Sequence, residues 1–231
     1  MTSLYLGRWA RAGRCPIMRP TIVLDLDETL VYRPRGIVDK VLMYGAPWAV
    51  VGRPYAGSIA CINSLAVKFN IVAVTARWRF AEASTEHMLV EAGLPQMPVI
   101  YAGEMHPGDD SRIAYKARAI RHLRDEGWAP FVGVGDRASD MKAYITEGLT
   151  ALVVVHREGA PVSARQTHMS LLLRAEREIL SSSLSRLPTP RIIYFTDCPH
   201  AARAREGAEG AKDTSLIPIW QQIVEYTKAT F

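Results

Sequence analysis

The stretch at positions 21–31, which reads TIVLDLDETLV, restricts the fold of this chain more than any other part of the sequence. Its first four residues are β-branched or aliphatic without polar alternation, which is typical of a strand buried on both faces in a parallel sheet. Asp25 and Asp27 follow directly. Two carboxylates at the end of a buried strand cost free energy unless a cation offsets their charge.

Doubly wound parallel sheets bind their ligands at the carboxyl ends of the strands. The position of Asp25 and Asp27 therefore predicts a metal-dependent site at that edge of the sheet. For a DxDxT motif taken alone, the alternative is a solvated turn that follows the strand. The other motifs of the chain favour the metal-dependent site.

The composition is that of a globular protein of 231 residues, with 48% hydrophobic and 22% charged residues, which suffices for one core with extensions or for two small domains. The net charge of +5 suits an anionic substrate or partner, but the basic residues are spread along the chain and identify neither. No apolar run is long enough to span a bilayer. Cys15, Cys61 and Cys198 lack metal-binding spacing and indicate free thiols, which predicts a cytoplasmic protein.

The amino-terminal segment 1–20 is basic and contains no acidic residue. One interpretation is an Arg-rich transit peptide, which would direct the protein to an organelle. We favour a disordered or packed extension, with Met18 as an alternative start, because the segment is short and poorly amphipathic. Its arginines are Arg8, Arg11, Arg14 and Arg19.

Apolar strands and amphipathic helices alternate after the first strand. The pattern predicts strands at 71–74, 99–101, 131–134 and 151–155. It predicts helices at 56–69, 80–92, 112–124 and 140–146, the last of them capped by Ser139. Strands separated by helices in this order predict an α/β fold with a doubly wound parallel sheet and helices on both faces.

Two further regions extend this predicted core. The segment 32–54 is rich in glycine and proline and predicts a small β-hairpin or flap beside the first strand. Beyond His156, the sequence predicts a helix at 162–181, a strand at 192–195, a loop at 207–213 and a terminal helix at 216–227.

Residues with phosphate chemistry occur at other predicted strand ends and helix starts. Thr75 follows the second strand, Lys116 lies near the start of a helix, and Asp136 and Asp140 follow the fourth strand. Carboxylates provide the hard oxygen ligands that Mg²⁺ prefers. A lysine and a hydroxyl group stabilise phosphoryl oxygens. Together with Asp25, these residues predict a site for Mg²⁺ and a phosphate group.

The strings VLDLDETLV, VTAR and GDRASD, with Lys116 between the last two, resemble the four ordered motifs of the haloacid dehalogenase (HAD) superfamily, phosphatase branch. The resemblance covers residues 21–155. The pairing of VTAR with GDRASD and the following Tyr144 is most similar to lipin-type and polynucleotide-phosphatase-type members. LDLDETLV also resembles the phosphatases that act on RNA polymerase tails, but the paired aspartates usual in their fourth motif are absent here.

The resemblance implies catalytic and metal-binding roles. Asp25 would attack phosphorus and form an aspartyl-phosphate, and Asp27 would act as general acid and then as general base. Mg²⁺ would bind the Asp25 carboxylate, the Asp27 backbone carbonyl and Asp136, with Asp140 as a ligand directly or through water. The second aspartate is absent from the dehalogenase branch, so Asp27 favours phosphoryl transfer.

The resemblance also implies a phosphate-binding set and substrate contacts. Thr75 and Lys116 would hold the phosphoryl group, together with Leu26 and Ala76. Thr29, Arg77 and Arg137 are candidate substrate contacts, although both arginines can instead pair with acidic residues.

Each candidate has a structural alternative. Lys116 can be a surface residue of its helix, Thr75 a strand-end cap, and Asp140 only a favourable helix-start residue. The six histidines show no ligand spacing and are expected at the surface or as satisfied core residues.

The gaps between the motifs have no room for a large cap domain, so the resemblance implies a capless member with an open site and a substrate that can be bulky. The expected organisation is an extension at 1–19, a HAD-like catalytic core at 20–156 and a carboxyl-terminal extension at 157–231 that packs on or near the core. The predicted function is a Mg²⁺-dependent phosphomonoester hydrolase. Its substrate is left open among a nucleotide, a nucleic-acid end, a lipid phosphate and a phosphoprotein. The alternatives are a non-catalytic phospholigand-binding or scaffold module and a nucleic-acid-binding protein.

Overall fold

The computed structural model describes residues 4–6, 19–32, 54–55, 57–103, 108–156, 162–181, 191–196 and 219–230. The predicted flap and the predicted loop at 207–213 lie outside these residues, apart from the two ends of the flap. There, Val31 forms an antiparallel bridge with Pro54.

A seven-stranded sheet forms the centre of the molecule, in the order β1-β4-β3-β2-β5-β6-β7. Every neighbouring pair is parallel except β1 and β4, which pair antiparallel at one edge. The strands are β1 Leu4–Leu6, β2 Pro20–Leu24, β3 Asn70–Trp78, β4 Val99–Ala102, β5 Ala129–Gly135, β6 Thr150–Val155 and β7 Ile192–Thr196. The predicted doubly wound parallel sheet is confirmed, and β2 lies at its centre.

Helices cover both faces of the sheet. They are α1 Ser58–Ala66, α2 Glu82–Glu91, α3 Asp109–Asp125, α4 Ala138–Thr146, α5 Val162–Ser181 and α6 Ile219–Thr230. Residues of α1, α2 and α6 belong to one buried cluster, and residues of α3, α4 and α5 belong to the other. Strand β2 contributes Ile22 and Leu24 to the first cluster and Val23 to the second, so its unbroken apolar run is buried on both faces as predicted.

The second motif lies inside a strand, which differs from the predicted strand end at position 74. Strand β3 continues to Trp78, and its register with β4 shifts between Thr75 and Trp78. Thr75 still pairs with Tyr101, so tertiary pairing extends the strand beyond the apolar run that marks it in the sequence.

The predicted cap of α4 was wrong. The helix begins at Ala138, and Arg137 occupies the N-cap position with extended backbone angles. Its N–H donates to Asp140 Oδ2 at 3.2 Å. Ser139 lies inside the first turn, where its buried hydroxyl has no hydrogen-bond partner among the described residues. A side-chain acceptor on the third helical residue therefore replaces the expected serine cap.

Candidate active site

Asp25 is the first residue after β2, at the carboxyl edge of the sheet. Its N–H donates to the carbonyl oxygen of Val134 in β5 at 2.9 Å, which continues the ladder between the two strands. Its side chain is almost fully buried. The backbone thus fixes the carboxylate between β3 and β5, where the first, second and fourth motifs meet.

Lys116 reaches Asp25 from α3. Its ammonium lies 2.8 Å from Asp25 Oδ1 and 2.5 Å from Asp140 Oδ1, and the residue is only 2% exposed. The preceding Tyr115 anchors α3 to the sheet, because its hydroxyl lies 2.9 Å from the carbonyl oxygen of Thr75 and 3.0 Å from that of Ile100. Lys116 is therefore not a surface residue of its helix, which was the alternative interpretation of the sequence.

Asp136 and Asp140 complete a cluster of carboxylates with Asp25. One oxygen from each of these three residues lies within 4.8 Å of the others. Asp136 follows β5, and Asp140 lies in the first turn of α4. Gly135 allows the approach, since a Cβ there would lie 2.6 Å from Asp140 Oδ2. The backbone therefore accommodates Asp140 only because the strand ends in glycine.

Burial sets the charge state of this cluster. Desolvation raises the pKa of Asp25 to about 6, against the opposing effect of Lys116, and raises the pKa of Asp136 well above its usual value. Burial alone would lower the pKa of Lys116, but Asp140 and Asp25 outweigh it and raise that pKa. Lys116 pairs with two of the three carboxyl groups, Asp25 and Asp140. Because burial makes ionisation of the cluster costly, the site favours additional positive charge.

The donor set fits Mg²⁺. This ion takes hard oxygen ligands, binds through few carboxylates and retains several waters. Asp25, Asp136 and Asp140 are the residues that would hold it. The half-buried Arg137 carries a further positive charge beside them. Burial acts to lower its pKa, but Asp136 and Asp25 reverse the shift and raise it.

Asp27 lies outside this cluster of carboxylates and pairs with Arg77. Arg77 Nη2 lies 2.6 Å from Asp27 Oδ1, and Nε lies 3.2 Å from Oδ1 and 3.1 Å from Oδ2. From the sequence, Arg77 could either contact substrate or pair with an acidic residue. In the structure, its guanidinium forms an ion pair with Asp27.

The remaining phosphate-set candidates lie next to these residues. Thr75 is fully buried, and its Oγ1 accepts the N–H of Arg77 at 3.2 Å. Leu26 is also buried, and its carbonyl oxygen accepts the N–H groups of Leu30 and Val31 at 3.0 Å. Ala76 is half-buried between Thr75 and Arg77. All three follow Asp25 or lie on the adjacent strand.

Thr29 joins the loop after Asp25 to the fourth motif. Its Oγ1 lies 3.5 Å from Asp136 Oδ1, and the residue is fully buried. The loop turns at Glu28, which has a φ of 60° and is held by the hydroxyl of Tyr55 at 2.9 Å. A non-glycine residue in the left-handed region is unusual and depends on such side-chain support.

Two histidines contact backbone carbonyl oxygens in this part of the site. His156 Nε2 lies 2.9 Å from the Thr29 carbonyl oxygen, and the His156 ring stacks on Tyr55 with centroids 3.5 Å apart. His168 Nε2 lies 2.8 Å from the Asp136 carbonyl oxygen. The sequence analysis placed the histidines at the surface or in the core and assigned them no role. The position of His156 directly after a predicted strand could have marked it, whereas no local signal marks His168.

Comparisons with known proteins were made on sequence and on structure. No family model and no curated protein matches the sequence. A search of solved structures finds D,D-heptose 1,7-bisphosphate phosphatase from B. bronchiseptica complexed with magnesium and phosphate, at 16% identity and a TM-score of 0.47, covering 83% of this chain and all of that chain. It also finds the class C acid phosphatase from Bacillus anthracis with tungstate bound, at 17% identity and a TM-score of 0.42, covering 92% of this chain and 82% of that one.

A third similar structure is the Pnkp1/Rnl/Hen1 complex, at 13% identity and a TM-score of 0.47. The match covers 60% of this chain and 46% of that chain, so this chain corresponds to less than half of it. The parallel sheet and the position of the motif residues at its carboxyl edge decide the fold class. This is a doubly wound α/β fold.

The described part of the α/β core contains no additional domain between the second and third motifs. From β3 to α3 the described chain forms one 3₁₀ turn, α2 and β4, and β4 belongs to the central sheet. Among the described helices, none combines the length and the apolar character needed to cross a membrane.

Proposed function

We propose that this protein is a Mg²⁺-dependent phosphomonoester hydrolase that acts through an aspartyl-phosphate on Asp25. The observation that carries the proposal is the position of Lys116, whose buried ammonium bridges Asp25 and Asp140 beside Asp136. Carboxylates are gathered here at a strand end, where their burial costs free energy that a structural role does not require. Binding of a divalent cation and a phosphate group accounts for that arrangement.

The proposed reaction has two steps. An oxygen of Asp25 attacks phosphorus and forms an acyl-phosphate bond, while the bond from phosphorus to the ester oxygen breaks and Asp27 gives its proton to that oxygen. Asp27, now ionised, takes a proton from a water molecule. That water attacks phosphorus, the acyl-phosphate bond breaks, and inorganic phosphate leaves with the Asp25 carboxylate restored.

Bound Mg²⁺ supplies charge that stabilises the phosphoryl oxygens and offsets the repulsion between an anionic substrate and the carboxylates. Lys116 contributes a second cation at the same position and holds Asp25 in place for attack. Thr75 provides a hydroxyl group on the neighbouring strand. Asp136 and Asp140 act as ligands in this proposal and take no part in proton transfer.

The substrate proposed is a phosphate monoester of one of four classes: a nucleotide, a nucleic-acid end, a lipid phosphate or a phosphoprotein. The absence of a cap domain from the described core between the second and third motifs favours a site open enough for a bulky ester. A cytoplasmic location is proposed with it, because the cysteine spacing indicates reduced thiols. A panel of esters from the four classes, assayed for phosphate release with Mg²⁺, distinguishes them.

The nucleophile is tested with Asp25→Asn. We expect purified wild-type protein to release p-nitrophenol from p-nitrophenyl phosphate with Mg²⁺, and Asp25→Asn to lose at least about 10³-fold in kcat/KM. Asp109→Asn is the matched control, since Asp109 is an exposed residue at the start of α3 and pairs only with Arg112 among the described residues. Wild-type activity in Asp25→Asn would overturn the assignment.

The intermediate is tested separately. Borohydride reduces an acyl phosphate to an alcohol, so turnover quenched with borohydride should convert residue 25 to homoserine, which peptide mass spectrometry detects. Hydrolysis without reduction at residue 25 would contradict the aspartyl-phosphate. Tight binding of inorganic phosphate without turnover at saturating Mg²⁺ would support the alternative of a phospholigand-binding module.

A further inference from the structure

We propose that Arg77 is a positioning residue that holds the Asp27 carboxylate for proton exchange with the leaving oxygen. The inference rests on the proposed function, in which Asp27 is the general acid and base. The two residues form a forked ion pair with one short contact, 2.6 Å from Nη2 to Oδ1, and two longer contacts from Nε. Such forks fix the plane of a carboxylate as well as its distance.

Arg77 is itself immobilised, which a positioning role requires. It is 4% exposed, and its Nη1 donates to Thr85 Oγ1 in α2 at 3.0 Å. The sulfur of Met88, one turn further along α2, lies 3.9 Å from both Nη1 and Nη2. Its backbone N–H donates to Thr75 Oγ1. The guanidinium is therefore held by α2 and the backbone by its own strand.

The contacts with Arg77 differ between the two carboxylate oxygens of Asp27. Oδ1 accepts from Nη2 at 2.6 Å and from Nε at 3.2 Å, and Oδ2 accepts from Nε at 3.1 Å. Contacts to both oxygens fix the plane of the carboxylate as well as its distance from Arg77. The Asp27 side chain is 19% exposed, so without the fork it could move among rotamers. A displacement of about 1 Å can cost roughly 10²-fold in rate.

A direct role for Arg77 in substrate binding fits the geometry less well. Its donors point to Asp27 and Thr85, and the residue is buried. Contact with a phosphate would first have to break the buried ion pair, which costs free energy. The two roles predict different kinetics. Loss of a phosphate contact lowers kcat/KM by a similar factor for every ester, whereas misplacement of a general acid lowers kcat/KM most for esters with poor leaving groups.

The test compares an alkyl phosphate, whose leaving oxygen needs a proton, with 2,4-dinitrophenyl phosphate, whose leaving group does not. Because kcat/KM reports only the steps up to departure of the leaving group, it isolates the general-acid role from the later attack of water. We expect Arg77→Met to lose about 10²-fold in kcat/KM on the alkyl ester and less than about 5-fold on the aryl ester. Asp27→Asn should show the same pattern. The double variant should be no slower than Asp27→Asn alone, because both changes remove one function.

Matched variants separate this role from general damage. Arg79→Met is the control, since Arg79 is exposed and lies over the Phe80 ring. Thr85→Val keeps the side-chain shape and removes the contact to Nη1, together with the interaction of the Thr85 hydroxyl with Tyr101, so a smaller loss confined to the alkyl ester is expected. It also tests the proposal if Arg77→Met does not fold, which circular dichroism would reveal.

The outcomes distinguish the two proposals. Equal losses of kcat/KM on both esters in Arg77→Met would overturn the positioning role and leave the hydrolase intact. The same holds if Thr85→Val loses nothing on the alkyl ester. If wild-type protein hydrolyses neither ester, the proposed function fails and the positioning role fails with it.

Discussion

The ring of Tyr144 lies directly over Gly133, so that a Cβ on Gly133 would be 2.3 Å from the Cγ of the ring. Two residues further along β5, Gly135 stands in the same relation to Asp140. Tyr144 and Asp140 are four residues apart and lie on one face of α4. The two glycines therefore let α4 pack against β5 closely enough to deliver Asp140 to the site.

Gly133→Ala tests this packing. The added methyl group overlaps a buried ring, so we expect a loss of about 1–3 kcal/mol or more in the free energy of unfolding, measured by urea denaturation. Gly108→Ala is the control, because no described atom lies within 4 Å of a Cβ at that position. Equal stability of the two variants would contradict the close approach.

Lys116→Met should affect both activity and stability. Removal of the ammonium leaves carboxylates buried without their partner, which costs about 3–5 kcal/mol for a buried pair, and we expect kcat to fall by about 10²–10³-fold or more. The stability loss should shrink toward pH 5, below the raised pKa of Asp25, where that carboxyl group becomes neutral. Lys142→Met is the matched control, since Lys142 pairs with Glu178 at the surface. A Lys116→Met variant with full activity would remove the residue from the site.

Binding of Mg²⁺ should depend on pH. The pKa of Asp25 is raised from 3.8 to about 6, so in the metal-free protein its contribution to stability is complete below pH 3.8 and is lost as the pH rises through 6. Above that pH the ionised cluster favours a cation. We therefore expect the Mg²⁺-induced rise in Tm to be larger at pH 7.5 than at pH 5.5.

The control for this prediction is Asp136→Asn, which removes one expected ligand. Differential scanning fluorimetry with and without Mg²⁺ should show little shift for this variant at either pH. A shift that is independent of pH, or one that Asp136→Asn retains in full, would count against the metal site.

His156 should contribute to acid sensitivity. Burial lowers its pKa from 6.5 to about 4, so the stability that the neutral ring provides is present above pH 6.5 and is lost as the pH falls through 4. His156→Phe keeps a ring to stack on Tyr55, cannot be protonated, and gives up the hydrogen bond to Thr29. We expect it to be less stable than wild type at pH 7, by about 1 kcal/mol, and the difference to narrow or reverse near pH 4.5.

Urea denaturation of both proteins at the two pH values measures this effect. The aspartates of the site titrate in both, so the difference between the two curves isolates His156. A constant difference across the range would show that the His156 ring does not remain neutral in the fold.

The sequence predicted the parallel sheet because the apolar runs that mark its strands are local features. The run before Asp25 marks a strand by its residue types alone, and the same residues are buried on both faces. Lys116, Asp136 and Asp140 could be assigned because motif order restricts where strand ends meet. The structure brings these three residues next to Asp25, and their roles remain a proposal.

What the sequence could not predict depends on contacts between distant segments. β1 has only three residues, and it pairs with a strand that is distant in the sequence, with Leu4 opposite Ala102 in β4. The extension of β3 through Arg77 likewise depends on β4. For Arg77, the sequence could not decide between a contact with substrate and an ion pair with an acidic residue. That choice depends on the position of the Asp27 side chain. His168 reaches Asp136 from a helix whose sequence carries no sign of the contact.

The antiparallel strand β1, at the edge of the sheet, would be missing from a polypeptide that starts further along the sequence. A polypeptide that starts at Met18 would lack Leu4–Leu6 and leave the outer backbone of Val99–Ala102 without the strand that now pairs with it. An unpaired edge strand can form hydrogen bonds with strands of neighbouring molecules. We therefore expect the shorter translation product to self-associate more readily than the chain that begins at Met1.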